Sequence, residues 1–123
     1  MRATEGITLF LYGTLLDPGM LARHAGRKGL GVRAAPAWLP GYRRVSLREE
    51  PYPTLLRGRG VVHGVVLRVR GPALARLSAY EGPRYRLLPL RVRTRTGPRR
   101  AWAWIAPAFH ADPLRSWAPH TAS

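Results

Sequence analysis

At 123 residues the chain has the size of one ordinary domain, and its 46% hydrophobic content suffices for a core. Cysteine is absent, which excludes disulfides, thiolate metal sites and cysteine nucleophiles and fits a reducing, cytoplasmic setting. The net charge of +15 comes from 21 basic against 6 acidic residues, and among the basic ones Lys28 alone is not arginine. So many arginines suit a polyanion, since guanidinium pairs with phosphate in a bidentate way. They are scattered along the chain and not clustered, however, and coding bias toward arginine accounts for that better than a nucleic-acid site does. Attraction of a small anionic substrate fits both readings.

Arg2 and Glu5 precede the apolar run Ile7 to Tyr12, which is too short for a signal segment or a membrane span and reads as a buried first strand. Gly13, Thr14 and Leu15 turn the chain toward a short helix that Asp17 caps, with Pro18 at its first position and an end near His24. Gly26, Gly29 and Gly31 then make a loop, followed by an extended segment over 32–39 that Pro36 marks as an edge or interrupted strand. Pro40-Gly41 reads as a turn into a strand over 42–47, which Glu49, Glu50, Pro51 and Pro53 end. Arg57-Gly58-Arg59-Gly60 reads as a hairpin or loop connection, too short a copy for an RNA-binding arginine-glycine segment. The strongest β signal is Val61 to Val69, a central strand with Gly64 as a bulge or a point of close approach.

Leu74 and Leu77, three apart among alanines, predict a short helix over 72–80 that Gly82-Pro83 stops, leaving Glu81 at its C-terminal end. Tyr85, Leu87, Leu90, Val92, Thr94 and Thr96 alternate with Arg91, Arg93 and Arg95, predicting a strand with one wet, arginine-rich face. Gly97-Pro98 reads as the turn into a partner strand over 101–105. There Trp102 and Trp104 face one side, toward core or a subunit contact. The expected organisation is one domain over 1–123, with a core at 7–106 and an irregular tail at 107–123. Its class is α+β: a small mixed, partly closed β-barrel with two or more short helices.

Glu81 is the one acidic residue between Glu50 and Asp112, in a stretch dense with arginine. On pattern alone, an ion pair with Arg84 or Arg86 is the commoner fate of such a glutamate. His24, His63, His110 and His120 show no metal-ligand spacing, so neither a metal nor another cofactor is expected.

Three stretches together carry a family resemblance: Leu11-Tyr12-Gly13-Thr14-Leu15, Tyr52-Pro53, and Leu77-Ser78-Ala79-Tyr80-Glu81-Gly82 with Tyr85 and Arg86. In order and spacing they resemble the gamma-glutamylcyclotransferase-like (AIG2-like) family, over roughly residues 7–105. The resemblance implies a barrel-like α+β fold and a metal-independent acyltransferase or lyase reaction. In that reaction the α-amine of a gamma-glutamyl compound attacks its own γ-carbonyl, releasing 5-oxoproline and a free amine. Glu81 matches the family's catalytic glutamate, a carboxylate that can both accept and return a proton. Tyr12, Gly13, Thr14 and Leu15 match the substrate-binding loop, whose backbone amides would hold the α-carboxylate. The alternative for that glycine is a plain strand-to-helix turn. Tyr85 is assigned to the cavity wall, with core packing as its alternative. Tyr52-Pro53 is expected to shape the rim, its peptide isomer left open. Where the family often has an aspartate this chain has Ser78. For Glu81, burial would raise the pKa and the positive surroundings would lower it, and the sequence leaves that balance open.

The expected partner is a small gamma-glutamyl substrate, with no membrane and with the chain as a monomer or homodimer. The rival reading is a catalytically inactive binding module of the same fold that binds nucleic acid through its arginines.

Overall fold

The computed structural model describes residues 6–119; Arg2, Glu5 and His120 lie outside them. Six strands and two α-helices follow the order β1 (Ile7–Leu11), α1 (Pro18–Ala25), β2 (Ala35–Leu47), β3 (Pro53–Val69), α2 (Gly71–Glu81), β4 (Arg86–Thr94), β5 (Gly97–Ile105) and β6 (Ala111–Ser116). Antiparallel pairing joins β1 to β3, β3 to β2, β2 to β4 and β4 to β5, and a parallel contact at Leu9 and Trp102 joins β5 back to β1. Five strands thus close into a barrel, and β6 adds to the outside of β2. The expected α+β barrel is present and its ring is complete.

Alternation along the strands divides the apolar residues between two cores. Phe10, Leu39, Leu55, Val62, Val66, Val92, Ala101 and Ala103 fill the barrel. Ile7, Leu9, Leu11, Leu67, Val69 and Trp104 point the other way, where Leu21 and Ala25 of α1 and Ala73, Leu74 and Leu77 of α2 cover them. Trp102 packs on this helical layer beside Trp104, so both tryptophans serve the core. Gly64 is a close-approach point and not a bulge. Its register with Ala37 is regular, and a Cβ there would stand 2.2 Å from the Leu11 carbonyl and 2.9 Å from the Phe10 ring.

Three connections and the tail differ from the sequence reading. Pro40-Gly41 does not end a strand; Gly41, at φ +80°, forms an irregularity inside one continuous β2, where the register jumps from Pro40–Val61 to Tyr42–Arg57. Arg57 to Gly60 therefore lie within β3, opposite that kink, and not in a connecting loop. The β4–β5 turn is Arg95-Thr96, tied by Thr94 Oγ1, which accepts from the Thr96 amide and donates to the Gly97 carbonyl at 2.8 Å. Gly97 and Pro98 already belong to β5. Pro36 pairs with Val65 on one side only, since the β4 ladder begins at Ala37, which fits its interrupted-edge reading. The tail is not irregular throughout: β6 docks on β2 through the Val45–Ser116 and Leu47–Ala111 pairs.

Candidate active site

The turn after β1 forms because Asp17 nucleates α1: its carboxylate accepts from the Gly19 and Met20 amides at 2.8 and 3.2 Å, with Pro18 at the first position. Upstream, Thr14–Leu16 make one 3-10 turn, so the chain reverses sharply between barrel and helix. Gly13 is needed at this point for space. Pro53 packs so tightly over it that a Cβ would lie 2.6 Å from the proline Cγ.

On α2, Leu74 and Leu77 face the core, and Glu81 follows Leu77 by four residues, hence on the same buried stripe. A carboxylate thus occupies the last inward position of an otherwise apolar face. Gly82, at φ +83°, ends the helix there, its amide bonding the Ser78 carbonyl. Ser78 itself is exposed and lines no part of the cavity, so the family's difference at this position falls outside it.

These elements meet around a cavity of about 420 Å³, which Tyr12, Gly13, Thr14, Leu15, Glu81 and Tyr85 all line. Phe10, Leu47 and Trp104 supply apolar wall, and Tyr52, Pro53, Pro83 and Arg84 complete the lining. The Tyr52–Pro53 peptide is trans, as are the other described peptide bonds. Tyr85 donates to the Pro53 carbonyl at 2.7 Å, tying the start of β4 to the start of β3. The Tyr12 hydroxyl is turned into the protein, donating to the Trp104 carbonyl, so this residue lines the cavity through its ring. Burial, then the nearby Tyr85 and Glu81, push the Tyr12 phenol well above its ordinary range.

Glu81 has no ion-pair partner among the described residues. Arg84, one of its two expected partners, instead pairs with Glu50 at the mouth of the cavity. Burial raises the Glu81 carboxyl from 4.5 to about 7, and its place at the C-terminal end of α2 acts in the same sense. Burial therefore outweighs the positive field. Such a group is present as acid and as base in similar amounts at neutral pH, the condition for moving a proton in both directions.

Tyr80 was not singled out in the sequence, although its spacing of three from Leu77 places it on the same stripe. Its hydroxyl shares a 2.9 Å hydrogen bond with Thr14 Oγ1, and its ring stacks on His24 with centroids 3.9 Å apart. It thereby joins the end of α2 to the 12–15 turn across the cavity. The Glu50–Arg84 pair spans 34 residues and has no local sequence signal.

The family described as gamma-glutamyl cyclotransferase, AIG2-like, matches residues 9–120. The chain belongs to this family. Among solved structures, it is similar to the Arabidopsis thaliana protein At5g39720.1, with 27% identity, a TM-score of 0.72, and 88% of this chain and 72% of that chain covered. A structure described as gamma-glutamyl cyclotransferase shares the fold at 17% identity and a TM-score of 0.67, covering 87% of this chain and 69% of that one. A mouse (Mus musculus) AIG2-like protein does so at 18% identity and a TM-score of 0.63, covering 92% and 86%. No curated protein sequence matches the chain. Family and fold together indicate a gamma-glutamyl cyclotransferase-like activity. Among the described residues, no helix of this family member is long and apolar enough to cross a membrane.

Proposed function

We propose that the chain releases 5-oxoproline from a gamma-glutamyl amine or short gamma-glutamyl peptide, with Glu81 as general acid and base. One observation carries this reading: a largely buried carboxyl, without an ion-pair partner among the described residues and pushed up to about 7 by its burial, faces the turn that follows β1 across a single cavity. The substrate contains both nucleophile and electrophile, so the protein has mainly to fold it into an attacking conformer. The amides opening the 3-10 turn at Thr14 have no acceptor within that turn, and in this reading they hold the α-carboxylate. The ionised Glu81 takes a proton from the α-ammonium, and the freed amine attacks the γ-carbonyl. The five-membered ring closes as the C–N bond to the leaving group breaks; the surplus proton on the attacking nitrogen and the one held by Glu81 both pass to the departing nitrogen, which leaves as an ammonium and restores the carboxylate. Tyr85 and Pro53 act as walls that keep the glutamyl chain bent.

Incubation with a panel of gamma-glutamyl amines and peptides, with 5-oxoproline as the readout, tests the proposal. Release should fall about a hundredfold or more in Glu81→Gln. For the wild type, kcat/KM should rise through an acid limb near pH 7, because the ionised carboxyl starts the reaction. Undiminished release by a folded Glu81→Gln protein would overturn the assignment.

A further inference from the structure

The two helices cover only part of the barrel's outer surface. Outward-facing Leu87–Trp104 and Pro89–Trp102 pairs lie at the helical layer or beside it. Two residues further along the same ladder, the outward pair is Arg91–Arg100, followed by Arg93–Pro98. On β2, Trp38 stands directly opposite Arg93, and on its other side it is opposite His63 of β3. Residues opposite one another in register share a face, so Arg91, Arg93, Arg100, Trp38 and His63 form one outward patch drawn from four strands. Pro40, Arg91, Arg93 and Pro98 line a groove of about 280 Å³ within it.

No carboxylate among the described residues pairs with this patch. Among the described residues no carboxylate lies in any of β1 to β5, and the side chains of Arg91, Arg93 and Arg100 have no hydrogen-bond or ion-pair partner. Two arginines directly opposite each other repel, at a cost to the sheet. Between them and His63, the indole of Trp38 is left partly open to solvent. A cationic strip beside a flat aromatic surface matches a single nucleic-acid strand: guanidinium groups take phosphates and the indole offers a stacking platform for a base. A duplex, whose bases are already stacked, gains nothing from Trp38.

We infer that the outer face of β2, β4 and β5, centred on Trp38 and Arg93, binds single-stranded nucleic acid. None of its residues lines the Glu81 cavity, so the proposal stands independently of the cyclotransferase reading. It also revises the view of the arginines as merely scattered. They are dispersed in the chain, but the barrel gathers three of them around one tryptophan.

Labelled single-stranded RNA, single-stranded DNA and a duplex of the same sequence, titrated between about 50 and 200 mM salt, provide the test. Both single strands should bind more tightly than the duplex, the tighter of the two naming the preferred sugar. Replacing Arg91, Arg93 and Arg100 together by serine should weaken single-strand binding at least about tenfold and lower the slope of log K against log salt by about 2. Trp38→Leu should cost about fivefold or more, while Trp38→Phe, which keeps a stacking ring, should retain most of the affinity. Replacing Arg23, Arg27 and Arg33 by serine removes the same charge from the α1 side and should leave binding within about twofold. Thermal melts identify any variant that fails to fold. Equal losses from the two triple variants would mean binding by net charge alone and would overturn the proposal. Duplex binding as tight as single-strand binding, or unchanged affinity in a folded Trp38→Leu protein, would do so too.

Discussion

Replacing Glu81 by glutamine should make the protein more stable at pH 8 while leaving its stability near pH 4 unchanged. In the native state the carboxyl titrates at about 7, against 4.5 for an unperturbed one. Between those values the folded protein binds more protons than the unfolded chain, so stability falls as pH rises through that window and levels off above it. At 1.36 kcal/mol for each tenfold change in acidity, the full penalty of ionising this buried group is roughly 3 kcal/mol. Glutamine keeps the shape and removes the charge. Its amide is desolvated much as the protonated carboxyl is, so the expected gain at pH 8 is the full roughly 3 kcal/mol, or about 10 °C in Tm. Near pH 4 the wild-type carboxyl is protonated in both states and the two proteins should unfold together. Urea midpoints for both proteins at both pH values measure this, with an unchanged denaturant slope showing that the unfolding reaction is the same. A Gln variant no more stable than wild type at pH 8 would refute the reasoning, because the carboxyl would then carry no burial penalty.

Three further substitutions probe the frame around the cavity. Gly13→Ala places a Cβ against the Pro53 ring and should cost about 1–3 kcal/mol in unfolding free energy, along with most of the 5-oxoproline release. Gly64→Ala drives a methyl group into the Leu11 carbonyl, so loss of more than about 3 kcal/mol, or failure to fold, is expected in a chemical melt. Tyr85→Phe removes the hydroxyl that donates to the Pro53 carbonyl. It should destabilise by about 1 kcal/mol and raise KM more than it lowers kcat, as steady-state kinetics on a turned-over substrate would show.

Local chemistry made part of this molecule readable in advance. Asp17 and Pro18 set the start of α1 without help from distant residues, and Leu74, Leu77 and Gly82-Pro83 mark a short helix ending at Glu81, although pattern alone favours an exposed ion pair there and not a place on the buried stripe. The errors arose where register, a property of two strands, decided the outcome. Pro40-Gly41 and Arg57 to Gly60 look like turns in isolation. Paired across the same kink, they let one long hairpin curl into a barrel. β6 has no alternating pattern because its side chains from Pro113 onward are exposed. It is held instead by pairing to β2, by the Trp117 indole on the Pro51 carbonyl, and by Arg43 on the Pro113 carbonyl. The balance of forces on Glu81 depended on where Arg84 would go, and Arg84 goes to Glu50, a residue 34 positions away. The cationic patch was hidden for the same reason, since its members come from four strands.

The account rests on a carboxyl at position 81 that is poised to exchange protons at neutral pH. Carbon-13 NMR titration of the Glu81 carboxyl, assigned by comparison with Glu81→Gln, measures this directly and needs no substrate. A midpoint near 7 is predicted, whereas a midpoint near 4.5 would show a solvated carboxylate and contradict the proposed role.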